Sequence, residues 1–355
     1  MKFINREKQI KYLNNHFASE PNSLLFVYGP KSSGKSTLLA KVAEELDKEK
    51  YAVNFLDLRQ VIIYDFRTFL DVFFQEDIKE KSKDILKGLT VNAGFFNIKL
   101  NEKSMLKKNA FKVIGDKLAE AKKTGIQPVI IIDEIQLLKH IYINGERYLI
   151  DELFNLFIAL TKVKHLAHIV LATSDSYFIE EIYNSSKLAK TSRFFLLDHF
   201  EKNDVIKWLK NENFTHEEIE TAWNYIGGCP WELSEIINEK KHGQKVEEIC
   251  HGFVKINYLK ISDYIFSFEN HKEDVFFKVI NQIVENGYCK KKSISQKQVL
   301  LELLKKMISH DFWFYNAENG KITANSKSIY HAFKEMIRSR ADELHKQRKP
   351  DKIFE

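Results

Sequence analysis

The sequence predicts an α/β fold in which a parallel sheet carries a phosphate-binding loop, with smaller units after it. Three observations predict this class. A loop rich in glycine and serine lies between an apolar run and an apolar-periodic stretch, at residues 29–36. A second apolar run, 128–132, ends in two carboxylates. Strand patterns alternate with helix patterns over the first part of the chain, which is typical of parallel sheets with right-handed crossovers.

The loop reads Gly-Pro-Lys-Ser-Ser-Gly-Lys-Ser and matches the pattern G-x-x-x-x-G-K-[ST]. It follows the apolar residues 24–28 and opens a helical stretch that includes Leu38. Gly29 and Gly34 are expected because a Cβ would block the curl that directs backbone N–H groups at phosphate oxygens. The N-terminus of the helix adds partial positive charge. The loop is therefore predicted to bind phosphate groups.

The last residues of the loop have individual roles. Lys35 would reach the β- and γ-phosphates as a mobile charge, and Ser36 would offer its hydroxyl to Mg²⁺. We expect ATP or ADP to contact the whole segment: Gly29, Pro30, Lys31, Ser32, Ser33, Gly34, Lys35, Ser36 and Thr37.

A second site element follows the apolar run Pro-Val-Ile-Ile-Ile at 128–132. Its β-branched residues suit a strand buried on both faces, and ligands bind at the carboxyl edge of such sheets. Asp133 is placed there to hold Mg²⁺, directly or through water, and Glu134 could polarise a water for attack on the γ-phosphate. Two adjacent carboxylates after a buried strand require a cation or solvent to compensate their charge.

Length and composition limit the protein class. The 355 residues fit two or three domains. Because no apolar run approaches 18 residues and the N-terminus lacks a signal-peptide core, we expect no membrane span. The three cysteines are odd in number and widely spaced, so they fit neither a disulfide framework nor a zinc site, and we expect a cytoplasmic protein. The histidines lack metal-ligand spacing, so we expect no protein-bound transition metal.

The positive charge is concentrated in the last third of the chain. Residues 251–355 hold 19 Lys and Arg against 13 Asp and Glu, so they carry the entire formal charge of +6. This distribution is consistent either with an acidic partner such as nucleic acid or with a solvated basic face.

The patterns after the sheet are helical. A long, mostly helical excursion, 60–125, with a hairpin or irregular loop at 89–100, lies inside the core. Short helices follow the sheet, then a partly helical connector, then two helices and a hairpin that predict a winged helix-turn-helix. The predicted segments are the core 1–200, a helical unit 201–242, a connector 243–268 and a winged-helix domain 269–340.

Together these motifs resemble the archaeal ATPase family, a group of P-loop ATPases in the STAND branch of the AAA+-related proteins. The resemblance covers residues 1–240 and 265–335. Residues 3–7, Phe-Ile-Asn-Arg-Glu, resemble the opening Phe-x-x-Arg-Glu segment of the family. Residues 133–136, Asp-Glu-Ile-Gln, are similar to its Asp-Glu-Phe-Gln signature, with isoleucine in place of the aromatic residue. Residues 227–233 are similar to the Gly-Gly-x-Pro-x-x-Leu motif of its helical lid.

The resemblance implies further site residues near the γ-phosphate. Residues 173–175, Thr-Ser-Asp, look like the polar sensor segment, with Ser174 as the hydrogen-bond donor and Thr173 as the alternative. Arg193 stands where the family has a Gly-Arg pair, although serine precedes it here. By the resemblance it could neutralise charge in the transition state, or it could pair with an acidic surface. Gln136 is expected to orient groups at the strand end.

The resemblance also implies contacts to the rest of the nucleotide. Arg6 is expected beside the base or ribose, and Pro230, after Gly228, beside the nucleotide in the lid. Residues 225–239 contain neither arginine nor lysine, so the lid lacks the sensor arginine of AAA+ motors. The resemblance therefore favours a switch-type ATPase over a ring motor. It implies a sheet of order 5-1-4-3-2 with a helical lid over the nucleotide.

The sequence is thus interpreted as an Mg²⁺-dependent ATPase that acts as a nucleotide-controlled switch. Lys35 and Mg²⁺ would gather charge, Glu134 would activate water and Ser174 would sense the γ-phosphate. Two alternatives differ in the partner of residues 269–340, which would be duplex DNA in one and a protein in the other. A small-molecule kinase is disfavoured by the Asp-Glu pair. The oligomeric state is left open.

Overall fold

The computed structural model describes residues 6–74, 110–143 and 145–347. Residues 3–5 of the opening segment, the possible hairpin at 89–100 and most of the helical excursion lie outside the described residues. The described chain forms two compact units. The first comprises the described parts of 1–28, 34–174 and 181–197, and the second comprises 29–33, 175–180 and the chain from Asp198 onward.

The first unit is built on a five-stranded parallel sheet. Its strand order is β2-β3-β6-β1-β7, which becomes 5-1-4-3-2 when only these five strands are counted and the sheet is viewed from its other edge. The α/β fold class and this order agree with the prediction. The strands of the unit are β1 Leu24–Tyr28, β2 Tyr51–Asp57, β3 Gln127–Asp133, β4 Tyr142–Ile143, β5 Arg147–Tyr148, β6 His168–Thr173 and β7 Ser192–Leu196, with β4 and β5 forming a separate two-stranded ribbon.

Helices cover the sheet and bury it. Every residue of β1 and β6 is buried, as expected for central strands of a parallel sheet with helices on its faces. The helices are α1 Glu7–Ala18, α2 Lys35–Glu45, α3 Phe66–Phe74, α4 Ala110–Lys123, α5 Leu149–Ile158 and α6 Ser176–Asn184. The strand β5 precedes α5, and its Tyr148 packs against Tyr142 of the ribbon. A π-helical turn, Ala159–Val163, follows α5.

The register of the sheet determines where the site lies. Asp57 pairs with Asp133 at the ends of β2 and β3, and Asp133 pairs with Ala172 one residue before the end of β6. Because parallel strands end on the same edge, the polar residues that follow these three strands meet there.

The second unit contains helices and a small antiparallel sheet. Its helices are α7 Lys202–Asn211, α8 His216–Tyr225, α9 Pro230–Lys241, α10 Val246–Ile265, α11 Asn270–Asn286, α12 Lys297–Ser309 and α13 Lys327–Gln347. Its strands are β8 Cys289–Lys290, β9 Trp313–Asn316 and β10 Lys321–Ala324, ordered β8-β10-β9. We call residues 270–347 the hairpin segment. Trp313 of this segment is buried and stacks on Phe276, with ring centroids 5.8 Å apart, so it packs in the core.

The residues predicted as a partly helical connector, 243–268, form one continuous helix, α10, over most of their length. It packs on α8, α9 and α13, so these helices share a core. The three cysteines are buried free thiols. Within the part of the chain that the structure describes, no helix is long and apolar enough to cross a membrane.

Gly228 sits at a close backbone approach before α9. The carbonyl of Gly228 accepts a hydrogen bond from the N–H of Phe200 at 2.9 Å. A Cβ on Gly228 would lie 1.9 Å from the carbonyl oxygen of Phe200. The obstacle is backbone, which cannot rotate away as a side chain can.

We predict that Gly228→Ala lowers the free energy of unfolding by on the order of 1–3 kcal/mol, because the backbone must shift to relieve the clash. Gly252→Ala is the matched control, because Gly252 lies inside α10 and its Cβ would meet nothing within 4 Å. That variant should gain about 0.5–1 kcal/mol from helix propensity. Denaturant titration of both variants measures the difference. Equal midpoints would contradict the prediction.

Glu232 of α9 is a carboxylate inside the core of the second unit. Its Oε1 accepts hydrogen bonds from the hydroxyls of Ser328, at 2.6 Å, and Ser326, at 3.2 Å. Burial raises the pKa of Glu232 to about 7, although the two serine hydrogen bonds act in the opposite direction. The folded protein therefore keeps a proton on Glu232 at pH values where the unfolded chain has lost it.

We predict that the stability of the protein falls as the pH rises from 4.5, the ordinary value for glutamate, to about 7. Glu232→Gln should remove this dependence and should be more stable than the parent at pH 8 by up to about 3 kcal/mol. Unfolding curves between pH 4.5 and 8 test this. Glu235→Gln, a partly exposed position on the same helix, is the control and should keep the parental slope. A parental slope in Glu232→Gln would contradict the assignment.

Candidate functional site

The phosphate-binding loop has a curled backbone at the N-terminus of α2. Ser32 and Gly34 adopt positive φ angles of 61° and 90°. The N–H of Ser33 donates to the carbonyl of Pro30 at 3.3 Å, and the N–H of Leu38 donates to that of Gly34 at 2.9 Å, which begins the helix. A Cβ on Gly34 would meet nothing within 4 Å. Glycine is therefore needed at position 34 for its left-handed dihedral angle, which a residue with a Cβ adopts only with strain.

The two predicted Mg²⁺ ligands converge on one point. The Nη2 of Arg59 lies 2.7 Å from the Oγ of Ser36 and 2.8 Å from the Oδ2 of Asp133. One cationic nitrogen is thus shared by a hydroxyl from the start of α2 and a carboxylate from the end of β3. Both are hard oxygen ligands of the kind that Mg²⁺ prefers.

Asp57 holds Arg59 in this place. Its Oδ1 accepts from the Nε of Arg59 at 2.9 Å, and its Oδ2 accepts from Nη2 at 3.0 Å. The Oδ1 atom also accepts the backbone N–H of Arg59 at 3.1 Å, which caps the short 3-10 turn after β2. Such a two-point pairing fixes both the position and the plane of a guanidinium.

Asp133 is completely buried. Burial raises the pKa of its carboxyl group above the ordinary value, while the hydroxyl of Ser36 and the charge of Arg59 lower it. A buried carboxylate costs free energy unless it is paired or binds a metal. The charge of Asp133 therefore requires a cation at this place, whether Arg59 or a metal ion.

Glu134 is held on both of its carboxylate oxygens. Ser174 donates its hydroxyl to Oε1 at 3.0 Å, and the side-chain amide of Gln136 donates to Oε2. The hydroxyl of Thr173 donates in turn to Oε1 of Gln136 at 2.6 Å. Ser174 and Thr173, the two candidates for the sensor residue, therefore both help to orient Glu134. Ser174 does so directly, and Thr173 does so through Gln136. A general base needs this kind of fixed orientation toward its water.

The backbone at Glu134 is strained. Its φ and ψ are 59° and 45°, in the left-handed region that non-glycine residues seldom occupy. Such a conformation costs on the order of 1–3 kcal/mol and persists only where the surroundings impose it. Here a 3-10 turn, Ile135–His140, follows at once, and the left-handed residue turns the chain from β3 into it.

Lys31 of the loop has contacts within the second unit. Its ammonium group pairs with Asp311, and its backbone N–H donates to the Oδ1 of Asn325 at 3.2 Å. Asp311 follows α12 in a left-handed conformation, with φ 62°. The loop N–H groups are the groups expected to donate to phosphate, so at Lys31 the side chain of Asn325 uses a donor that the nucleotide would need.

Arg193 is not brought to the carboxylates. It pairs with Leu25 near the start of β7, and β7 is three strands away from β3. At about 4.8 Å per strand this separation is roughly 14 Å across the sheet. Burial and, to a lesser extent, the positive charge of Arg193 lower the pKa of His16 to about 4. The guanidinium of Arg193 is therefore near His16. The structure does not bring Arg193 to Asp133 and Glu134, and its expected role at the γ-phosphate stays a prediction.

The other residues predicted to contact the nucleotide lie at the starts of three helices. Arg6 is buried at the start of α1, where its carbonyl accepts the N–H of Ile10 at 2.8 Å. Pro230 is the first residue of α9. Lys35 is buried in the first turn of α2. Their contacts to a nucleotide stay predictions.

Sequence reasoning missed Asp57 and Arg59. A usable signal was present, because Asp57 follows the largely apolar residues 51–56 of β2. Parallel strands end on one edge, so a charged residue at the end of a neighbouring strand belongs to the same site. The register that places Asp57 beside Asp133 was not readable from either segment alone.

The residues present fit Mg²⁺. Ser36 and Asp133 offer two oxygens that already share one cationic partner, and Asp133 is a buried charge. These two side chains are the ones that would hold the metal.

Comparison with known proteins identifies relatives of the whole chain. A family model described as an ATPase domain predominantly from Archaea matches residues 3–236. An uncharacterized ATP-binding protein of Methanocaldococcus jannaschii is 37% identical over 345 residues, covering 95% of this chain and 99% of the relative. A protein of Pyrococcus abyssi with the same description is 33% identical over 313 residues, covering 85% of this chain and 89% of the relative.

A solved structure shares the fold. The ORC2 protein of Aeropyrum pernix, determined as ADPNP–ADP complexes, superposes with a TM-score of 0.50 at 10% sequence identity. The alignment covers 95% of this chain and 93% of that protein. At this level of identity the likeness shows a common architecture.

Proposed function

This chain belongs to the archaeal ATPase family, and on that premise we propose that it hydrolyses ATP with Mg²⁺ and acts as a nucleotide-controlled switch. The observation that carries the switch is the backbone N–H of Lys31, which donates to Asn325 at 3.2 Å in a loop built to bind phosphate. In this proposal the residues at the sheet edge bind and hydrolyse ATP, and the contacts of Lys31 change with the nucleotide that is bound.

In the proposed hydrolysis, different residues position the phosphates, accept the proton of the attacking water and bind the metal ion. The loop N–H groups and Lys35 position the β- and γ-phosphates and offset their charge. Glu134, held by Ser174 and Gln136, accepts a proton from the attacking water. Mg²⁺, when bound by Ser36 and Asp133, would neutralise charge on the phosphate oxygens.

The proposed switch is a competition for one part of the loop. A phosphate that takes the N–H of Lys31 removes it from Asn325, and a phosphate beside the ammonium group weakens its pair with Asp311. The ion pair is largely exposed, so it contributes about 0–1 kcal/mol, and the hydrogen bond contributes about 1 kcal/mol. Contacts of this size can be broken by nucleotide binding and can re-form after its release.

The hairpin segment is proposed as the output element and as a winged helix. Its two helices, its small sheet and the following helix have the order expected for such a domain. Asp311 and Asn325, the partners of Lys31, flank the β9–β10 hairpin. Release of Lys31 would therefore remove one contact at each end of this hairpin.

Duplex DNA is a second candidate partner, favoured by the excess of positive charge in residues 251–355. Several lysines there already have local contacts. Lys305 lies 5.0 Å from the ring centroid of Tyr177, and Lys291 pairs with Glu180. Because these contacts occupy lysines that DNA would need, the protein-directed switch stands first.

We predict that Glu134→Gln lowers ATP turnover by about 10²- to 10⁴-fold, because the amide cannot accept the proton of the attacking water. Binding of ADP should stay within a few fold of the parent. The control is Glu45→Gln, which removes a carboxylate from the other end of α2, where it pairs with Lys41. Turnover is measured by phosphate release in Mg²⁺. Equal turnover in Glu134→Gln and the parent would contradict the role of Glu134.

The same assay distinguishes the two partners. Turnover that is stimulated by duplex DNA, with a steep decrease in stimulation as salt is raised, would favour the DNA-associated function. Turnover that is indifferent to DNA at low and moderate salt would favour the protein-directed switch.

We predict that Asn325→Ala binds ADP about fivefold more tightly, because the nucleotide no longer competes with a hydrogen bond worth about 1 kcal/mol. Asn319→Ala is the matched control. Its Oδ1 accepts the N–H of Lys321 at 3.0 Å in the same hairpin but does not involve the loop. Fluorescent ADP titration measures both variants. Equal or weaker ADP binding by Asn325→Ala would contradict the competition.

A further inference from the structure

Arg59 contacts the side chains that are proposed to hold Mg²⁺. Its Nη2 atom lies 2.7 Å from the Oγ of Ser36 and 2.8 Å from the Oδ2 of Asp133, and its Nη1 lies 3.8 Å from the Oε1 of Glu134. A metal ion bound by the same two oxygens would lie within a few ångström of this nitrogen. Two cations at such a distance repel each other, so the metal and the guanidinium compete for the two oxygens.

The placement of Arg59 is built into the fold. Asp57 holds it through Nε, Nη2 and the backbone N–H, and Gln60 donates to the second oxygen of Asp57 at 3.0 Å. Hydrogen bonding to Asp57 raises the pKa of Arg59, so the guanidinium is charged under all ordinary conditions. The end of β2 thus delivers a permanent cation to the end of β3.

Arg59 can also leave. About half of its side chain, 47%, is exposed, whereas Asp133 is fully buried. A swing of the guanidinium toward solvent leaves no buried positive charge behind. It does break the ion pair of Asp133 with Arg59, and the arrival of another cation would compensate that loss.

We propose that Arg59 is an internal competitor of Mg²⁺, which pairs with Asp133 and Ser36 until the metal displaces it. The inference rests on the proposed function, because it takes those two residues as the metal ligands. Arg59 keeps the buried carboxylate compensated before the metal arrives, and it raises the metal concentration needed to complete the site. It is a positioning residue for the metal and does not act on the reacting atoms.

Charge balance supports the direction of the effect. Asp57, Asp133 and Glu134 contribute three carboxylates at this edge, and each of them forms an ion pair with Arg59. Removing the guanidinium leaves the carboxylates facing one another and therefore increases their attraction for a divalent cation. The gain is largest for the buried oxygen of Asp133.

The test is a titration of the ADP-saturated full chain with Mn²⁺, in which electron paramagnetic resonance measures the concentration of free Mn²⁺. Arg59→Gln should bind Mn²⁺ about tenfold more tightly than the parent, since the competing cation is gone. Arg147→Gln is the matched control, because Arg147 is 73% exposed and pairs with Glu152 in the first unit. It removes the same charge without touching the site and should bind Mn²⁺ as the parent does.

Arg59→Lys is a second variant, which allows the proposal to be tested even if Arg59→Gln does not fold. Lysine keeps the charge but cannot form the two-point pairing with Asp57, so its Mn²⁺ affinity should fall between those of the parent and Arg59→Gln. Equal or weaker Mn²⁺ binding in folded Arg59→Gln would overturn the competitor role while leaving the ATPase proposal intact. Failure of the parent to bind Mn²⁺ and ADP together would overturn the proposed function and this inference with it.

Discussion

The buried carboxylate of Asp133 is the charge around which the sheet edge is organised. It ends a strand that is buried on both faces, so its ionised form requires a cation close by. Ser36 and Arg59 reach it from two different elements, the start of α2 and the end of β2. The side chains that compensate the charge of Asp133 therefore come from α2 and from the end of β2. A metal ion bound at Asp133 would affect α2, β2 and β3.

Two residues of the site have strained backbones. Ser32 and Glu134 both adopt left-handed conformations without being glycine. At Ser32 the conformation curls the phosphate-binding loop, and at Glu134 it turns the chain sharply so that Ser174 and Gln136 can hold the carboxylate. The cost of such conformations is met by the packed sheet, in which β3 and β6 are buried. A rigid sheet thus supports a strained and polar edge.

The second unit contains two polar contacts of different character. The pair between Lys31 and Asp311 is exposed and weak, which suits a contact that is broken and re-formed. The cluster of Glu232 with Ser326 and Ser328 is buried and joins α9 to the beginning of α13, so it is costly to rearrange. In the proposed switch the first contact would report on the nucleotide, while the second would keep α9 and the hairpin segment together when the first is released.

The sequence by itself determined the local features of this protein. The strand–loop–helix pattern identified the phosphate-binding loop, and the β-branched run before Asp133 identified a buried strand with a polar end. Both depend on residues adjacent in the chain, where periodicity and turn chemistry act directly. Expectations for the loop and the two carboxylates could therefore be made residue by residue, and the resemblance of short motifs supplied the order of the sheet.

Only the tertiary structure decided which distant residues meet. The pairing of Asp57 with Asp133 is a matter of strand register, and it brought Arg59 to the site while the sheet order kept Arg193 away. The contacts of Lys31 with Asp311 and Asn325 join residues almost 300 positions apart. Long side chains such as those of arginine and lysine can reach many places, and neither spacing nor propensity specifies which. Their partners are set by the packing of whole elements, which is a property of the fold and not of any local segment.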